Sequence, residues 1–425
     1  MAKKEKKGIS LTNQILLASV IGLLAGALIG PAIAPIGALG QIFLNLIMMS
    51  VPIIILGAVT EAVGQLSPAE LGKLGAKIFG LFLISTIIAA ALGVVFGFII
   101  QPGVGVDLVA TDADITGHGQ SFTDILVGFF PSNIIDSLAQ GNMMQVIIFA
   151  LFLGVATSSY INQTGDESLL NLVKTMNKTV LTIIGFVMKA APIGVGALLA
   201  EVAATTGFSV LIPLGKYLLT LLIATFLIMV VYIGATAIKL KVSPIELTKK
   251  IIPMSVMAAT TTSSAMSLPI KMKDSEEKLG VSPRISNLVN PLGMVLNSAG
   301  QAVFLSIASI FIIQLFNIEV TAAGLLQIVV LSTLACMGTL AVPGGALVIF
   351  ASLMPTLGLP VEGVAFIAGV DWFRGAITTI PNVAGDALIS AIVADMEGEF
   401  DRDIFDGKKI HRQEEGMIEN AGAQK

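Results

Sequence analysis

The sequence predicts an all-α polytopic membrane protein with eight transmembrane helices and two re-entrant helical hairpins. Three observations carry this. The chain is 55% hydrophobic and only 12% charged, with a mean hydropathy of +0.91. That is about half the charge of a soluble domain, too little polar surface to solvate a globule. Apolar stretches of about 20 residues, enough to cross the hydrocarbon core, recur along its 425 residues. Two further apolar stretches have polar or Gly/Pro-rich middles. A soluble enzyme, a disordered chain and a disulfide-stapled secreted domain are thereby excluded, and Cys336 is the single cysteine. The net charge of −4 carries no signal for nucleic acid, because the charges are segregated along the chain. No nucleic-acid partner is expected, and membrane lipid is.

The spans are expected at 11–34, 40–65, 75–101, 123–160, 179–202, 211–238, 286–316 and 363–395. The first is too long for a cleavable signal and leads straight into further spans. Lys and Arg set orientation. Eight crossings with both termini cytoplasmic put 21 of the 24 basic residues on the cytoplasmic side. These lie in the N-terminal tail, the 66–78 connection (Lys73, Lys77), the 161–178 connection (Lys174, Lys178), the 239–285 stretch, which includes Lys271, and the tail beyond 395. The opposite connections, 102–122, 203–210 and 317–322, have none, and the first carries Asp107, Asp112, Asp114 and His118. A multi-pass protein of the plasma membrane is expected. Lys189, Lys216 and Arg374 fall within apolar segments, and Lys216 is near enough to a helix start to snorkel.

The interrupted segments are more informative than the spans. In 251–270 a hydroxyl run, Thr260 to Ser264, lies between Pro253 and Pro269. Both ends are cytoplasmic by the charge count, so the segment must dip in and return with the hydroxyls at its tip. In 325–357 two apolar halves meet at Gly338 to Gly345. Each half is about 12 residues, or about 18 Å of helix, and reaches the bilayer middle. This second hairpin must enter from outside. Bare backbone at that depth is tolerated only inside protein or beside water, so the two tips imply a protected polar site. Each hairpin precedes one full span, which is an inverted repeat, and interrupted segments in matching places point to a transporter's binding site.

The spans after the hairpins carry the polar residues. Within 286–316 the apolar run is broken at Asn290-Pro291 and at Asn297 to Gln301. An unwound turn there exposes carbonyls such as that of Gly293, suited to a hard cation. In 363–395, Asp371, Arg374, Thr378, Thr379, Asn382 and Asp386 share one helical face. Ionisable residues inside a membrane helix face a cavity or each other. Asp371 and Arg374 can form an i,i+3 pair or bind ligand. Asp386 has no basic residue three or four positions away. Either a cation or proton neutralises it, or it sits in water near the cytoplasmic end.

Four motifs together resemble the dicarboxylate/amino acid:cation symporter family, the glutamate transporter homologues. They are the hydroxyl-rich hairpin ending in Leu268-Pro269, the Pro-Leu-Gly at 291–293 followed by Asn297 and Gly300, the Gly338-Thr339 to Val342-Pro343-Gly344 tip, and Asn382-Val383-Ala384-Gly385-Asp386. The resemblance covers nearly the whole chain. It implies a homotrimer and an elevator mechanism, with the second hairpin as outer gate. The implied scaffold is 1–74 (spans 1 and 2) and 102–210 (outer loop, spans 4 and 5). The implied mobile transport domain is 75–101 (span 3) and 211–395 (span 6, first hairpin, span 7, second hairpin, span 8), with 396–425 a cytoplasmic tail. It implies substrate contacts from Ser263, Ser264, Thr339, Val342, Gly344, Arg374, Gly375, Thr378, Thr379 and Asn382. It implies cation ligands from Gly293, Asn297, Asn382 and Asp386, with Na+ or H+ as the coupling cation and no organic cofactor.

The chain departs from the family pattern at several of these places. The family's Asn-Met-Asp-Gly-Thr is Asn297-Ser298-Ala299-Gly300-Gln301 here, which removes ligands of two of three sodium sites. Ser85 and Thr86 match hydroxyl positions of one such site without its acid. Gly375 stands where an acid receives an ammonium, and Thr378 where an arginine receives a side-chain carboxylate. The hairpin's alternative arginine is Thr262. Arg374 is then a relocated anion partner or is tied to Asp371.

The function expected is secondary symport of a small carboxylate or amino acid. The alternative is a sodium-independent or proton-coupled carrier of a neutral amino acid or monocarboxylate. An ion channel is more remote, since neither tip shows repeated selectivity carbonyls or a charged ring. No H-E-x-x-H or G-x-S-x-G occurs, and an intramembrane aspartyl protease needs its two acids on different helices, so no enzyme is expected.

Overall fold

A computed structural model describes residues 11–65, 72–105, 127–128, 130–140, 143–206, 211–336 and 345–408. Thr339, Val342 and Gly344, and the acidic 102–122 loop beyond Gly105, lie outside these residues. Among the described residues the elements are helical, apart from one isolated bridge between Val281 and Phe400. Among the described residues six helices are long and apolar enough to cross a membrane: Leu17–Phe43, Leu74–Ile100, Gln145–Thr164, Leu211–Leu240, Pro283–Leu315 and Asp371–Glu397. A seventh is reached if the pair Ser168–Val187 and Ala191–Glu201, bent by 56°, counts as one.

Four expected spans are built differently. The span at 40–65 is two helices, α2 (Gly37–Met48) and α3 (Val51–Gly64), parted at Met49-Ser50, with Pro52 in the first turn of α3. A proline has no N–H to lose at a helix start but cannot continue one. At 123–160, Pro131 and Asn133 precede a short helix, α5 (Ile134–Gln140), and the long helix α6 runs Met143–Thr164. The span at 179–202 starts earlier, as α7 (Ser168–Met188), and bends at Lys189-Ala190 into α8 (Ala191–Thr206). Lys174 and Lys178 are thus helical, and the connection shrinks to 165–167. Asn177 of α7 is buried and its amide donates to Glu61 of α3 at 2.6 Å. At 363–395 a break at Gly369-Val370 separates α16 (Val364–Ala368) from α17 (Asp371–Glu397).

The helices pack in two groups. In the first, α1 (Leu11–Ile29) and α2 lie on α8, and α3 lies on α6 and α7. Gly22 and Gly26 of α1 abut the carbonyls of Gly196 and Ala200, so any side chain there would collide with backbone. Small residues allow this approach where lipid gives no hydrophobic drive between helices. In the second, α4 (Lys73–Ile100) lies on α13 (Ala299–Leu315), and α17 touches α9 (Leu211–Leu240), α10 (Pro244–Thr261), α12 (Pro283–Leu296) and α13. Gly93 and Gly97 of α4 meet Val303, Ser306 and Ile310 of α13. Every residue of α13 from Ala299 to Ile313 is buried, so it forms the axis of this group. Leu17, Val20, Ile21, Leu24 and Leu28 of α1 are exposed, as suits a lipid or subunit face.

Charge gathers at one end of the second group. Lys77 pairs with Glu397 at 2.7 Å, Lys239 with Asp395 at 3.1 Å, and Arg284 with Glu399 at 2.5 Å. The Arg284 guanidinium and the Ser282 hydroxyl hold the Glu399 carboxyl below the usual range. These exposed pairs contribute at most about 1 kcal/mol each. They do bring residues of the 66–78 connection, the 239–285 stretch and the C-terminal end of α17 to the same end.

Candidate substrate and cation site

The first hairpin folds as expected. Helix α10 ends at Thr261, α11 (Ser264–Glu277) begins at Ser264, and the chain reverses at Thr262-Ser263. Thr262 has φ +51°, an uncommon conformation for a β-branched residue. The hydroxyls support the turn: Thr261 donates to the Met257 carbonyl at 2.7 Å, Ser267 donates to the Ser263 carbonyl at 2.9 Å, and the Ser263 oxygen accepts from the Met266 N–H at 3.3 Å. Ser263 and Ser264 are buried. The tip lies against α17 at Gly375, where a Cβ would stand 3.3 Å from that of Thr262.

The expected unwound turn is present. Helix α12 stops at Leu296 and α13 starts at Ala299, with Asn297 and Ser298 out of helical geometry between them. The freed Gly300 N–H donates to the Asn382 Oδ1 at 2.7 Å. A Cβ on Gly300 would strike the Thr378 carbonyl and stand 2.8 Å from Pro381. Gly300→Ala is therefore expected to part the turn from α17 and destabilise by about 1–3 kcal/mol, seen as a lower midpoint of thermal unfolding. An unshifted midpoint would show that this contact is loose.

Arg374 is tied to Asp371. Its Nη2 and Nε lie 2.6 and 2.7 Å from Asp371 Oδ1, and its guanidinium stacks on the Phe304 ring, 4.6 Å from the centroid. Its Nη1 turns the other way and donates to Thr378 Oγ1 at 3.3 Å, with Gln301 Oε1 at 3.5 Å. The Gln301 Nε2 is buried with no hydrogen-bond partner among the described residues. Leaving such a donor unmade costs about 1–3 kcal/mol, so it calls for an acceptor. Thr379 is spent locally, donating to the Gly375 carbonyl at 2.7 Å.

One turn from Asn382, Asp386 is fully buried. Its Oδ1 accepts from Asn297 Nδ2 at 2.8 Å, and a Cβ on Gly293 would collide with its carboxyl. Gly293, Asn297 and Asp386 are thus brought together, with Asn382 alongside. The expectation that Asp386 lacks a basic partner is corrected. Lys271 Nζ stands 2.6 Å from Asp386 Oδ2 and 2.8 Å from the Asn290 carbonyl. Lys271 is 0% exposed, so its place among the cytoplasmic charges is corrected too.

Helical spacing relates Asp386 only to residues within a turn of it, whereas Lys271 arrives on the returning arm of the hairpin. One signal was present. The buried residues of α11 are Ser264, Ser267, Lys271, Asp274 and Ser275, and the steps of three and four place Lys271 on the inward face.

The oxygens expected to hold a cation are engaged. Gly293 O accepts the Asn297 N–H at 2.8 Å. Asn297 Oδ1 accepts from Ser85 at 3.0 Å and from Thr86 and Tyr232 at 3.4 Å. Asn382 Oδ1 holds Gly300, and Asp386 holds Lys271 and Asn297. Among the described residues no cluster of three His, Cys, Asp or Glu residues exists. This arrangement does not fit a sodium ion at Asp386, because an ammonium is already there.

A buried arginine and an amide donor without a partner among the described residues, beside a broken helix and a hairpin tip, are the arrangement expected of one family, and its model, that of the sodium:dicarboxylate symporters, matches residues 11–396. The chain belongs to the sodium:dicarboxylate symporter family. It is 32% identical to the proton/glutamate-aspartate symporter of Escherichia coli over 92% of this chain and 94% of that one. It is 30% identical to the proton/sodium-glutamate symport protein of Bacillus caldotenax, over 93% and 96%. It is 30% identical to a C4-dicarboxylate transport protein of Anaeromyxobacter, over 92% and 91%. As a member of this symporter family the chain is a transporter and not an enzyme.

Proposed function

We propose that the protein is a secondary active symporter that carries a small carboxylate or amino acid across the plasma membrane, coupled to a cation. The observation that carries this reading is the buried Gln301 Nε2, which has no partner among the described residues, beside Arg374 Nη1, whose acceptors Thr378 Oγ1 and Gln301 Oε1 stand 3.3 and 3.5 Å away. A substrate carboxylate would accept from Gln301 Nε2 and could replace the long bonds of Arg374 Nη1. Asn382, one turn along α17, and Ser263 and Ser264 at the hairpin tip would line the rest of the site. The names of the relatives support the substrate class.

The reading extends to the architecture. Eight spans with both termini cytoplasmic, a homotrimer, and an elevator are part of the proposal. The two packing groups support it: helices of 11–64 and 143–206 would form the scaffold, and those of 73–100 and 211–397 the moving body. Thr339, Val342 and Gly344 would close the pocket from outside.

The charges narrow the substrate. Asp371 offsets Arg374, Gly375 offers nothing to an ammonium, and Thr378 offers no charge to a second carboxylate. Burying an unpaired charged group costs several kcal/mol. The site therefore favours a monocarboxylate without an ammonium over aspartate and glutamate. Uptake into proteoliposomes, with a panel of acids and with sodium and pH gradients imposed separately, tests this. Aspartate is expected to be taken up at least about tenfold less efficiently than the preferred acid, a difference of about 1.4 kcal/mol. Tight aspartate uptake would place the pocket wrongly, and uptake of no acid would end the symporter reading.

A further inference from the structure

We infer that Lys271 is a built-in cation: its ammonium fills the place before Asp386 that a coupling sodium would need, and so makes Lys271 the residue that decides ion selectivity. This rests on the symporter reading only for its consequence in transport, because the geometry is independent of the substrate. Lys271 Nζ bridges the Asp386 carboxylate of α17 and the Asn290 carbonyl of α12, from the returning arm of the hairpin. All three residues are 0% exposed.

A mobile sodium ion would have to displace this ammonium or share its carboxylate. Sharing puts two positive charges on one buried anion, and a hard cation also needs several free oxygens. The Gly293 carbonyl, the Asn297 amide and the Asn382 amide each already accept a hydrogen bond from within the protein. Displacement would leave a buried ammonium without its counter-charge, which is strongly unfavourable. The direct partners of the pair, the Asn297 amide and the Asn290 carbonyl, are neutral, and so are Ser85, Thr86 and Tyr232, which hold Asn297 from α4 and α9. Asp274, one turn along α11, is already paired with Lys278 at 2.6 Å. The covalent link matters. An ammonium carried on the chain travels with the protein and contributes no net charge movement driven by a sodium gradient.

The test uses the full chain purified in detergent, with thermal unfolding in sodium chloride compared with choline chloride at equal ionic strength. The unaltered protein is expected to show no sodium-specific shift. Lys271→Ser removes the ammonium, supplies an oxygen and restores a net negative site. It is expected to gain a sodium-specific rise of about 2–5 °C. Lys271→Met/Asp386→Asn, neutral at both positions, is expected to be insensitive to sodium. Sodium-specific stabilisation of the unaltered protein that Asp386→Asn removes would overturn the proposal. So would a Lys271→Ser protein that folds and ignores sodium, or one that saturating sodium cannot recover. Because this readout needs no substrate, failure of the carboxylate panel leaves it standing, and failure here leaves the uptake result standing.

Discussion

Lys271→Met is expected to cost about 3–5 kcal/mol of stability, the range for removing one partner of a buried ion pair. The loss comes from the partner left behind: Asp386 is 0% exposed, loses its counter-charge and retains only the Asn297 amide at 2.8 Å. Asp386→Asn is expected to be as severe, since it strands the ammonium, and to abolish accumulation against a gradient. The double variant Lys271→Met/Asp386→Asn is expected to recover most of the loss, since removing both charges also removes the desolvation cost. Thermal unfolding of the four proteins under one condition measures this. Additive losses in the double variant would mean that the two groups do not pair.

Arg374→Gln is expected to raise the apparent KM for the transported acid by at least about 30-fold, from the 2 kcal/mol or more that truncating a buried charged contact costs. Asp371→Asn should act in the opposite direction, because Asp371 holds Arg374 through Nε and Nη2 at 2.7 and 2.6 Å. Releasing that hold makes the guanidinium a full positive charge for the substrate and should tighten anion binding several-fold. It should also shift preference toward dicarboxylates, which a pocket made neutral by Asp371 disfavours. Equilibrium binding and initial uptake rates read both variants. Weaker anion binding in Asp371→Asn would show that the acid positions Arg374 for the substrate and does not compete with it.

Some of this protein could be read before any folding. The hairpin at Thr262-Ser263, the unwound Asn297-Ser298 and the polar stripe from Asp371 to Asp386 are local events. A hydroxyl run between prolines, a helix run into Asn-Ser-Ala-Gly and a spacing of three and four each act within a turn or two of chain. The Asp371–Arg374 pair was legible as an option for the same reason, lying three residues apart on one helix. The helix ends were less legible. Composition locates apolar stretches, but the break at Met49-Ser50 and the 56° bend after Met188 depend on how each segment meets its neighbours.

What composition and periodicity determined is the class: a helical membrane protein with a polar hairpin tip at Thr262-Ser263 and a stripe of polar side chains, because burial in lipid forces every backbone group to be satisfied within its own segment. Only the tertiary structure decided what neutralises Asp386. Positions 271 and 386 are 115 residues apart, and no helical spacing connects them. The hairpin had to return beside α12 and α17 before the Lys271 ammonium could reach the carboxylate. The same is true of the Gly300 N–H on Asn382 and of the Gln301 Nε2 beside Arg374, which has no partner among the described residues. Water would satisfy each of these groups in an unfolded chain. Its exclusion from the packed interior makes each partner, or lack of one, consequential.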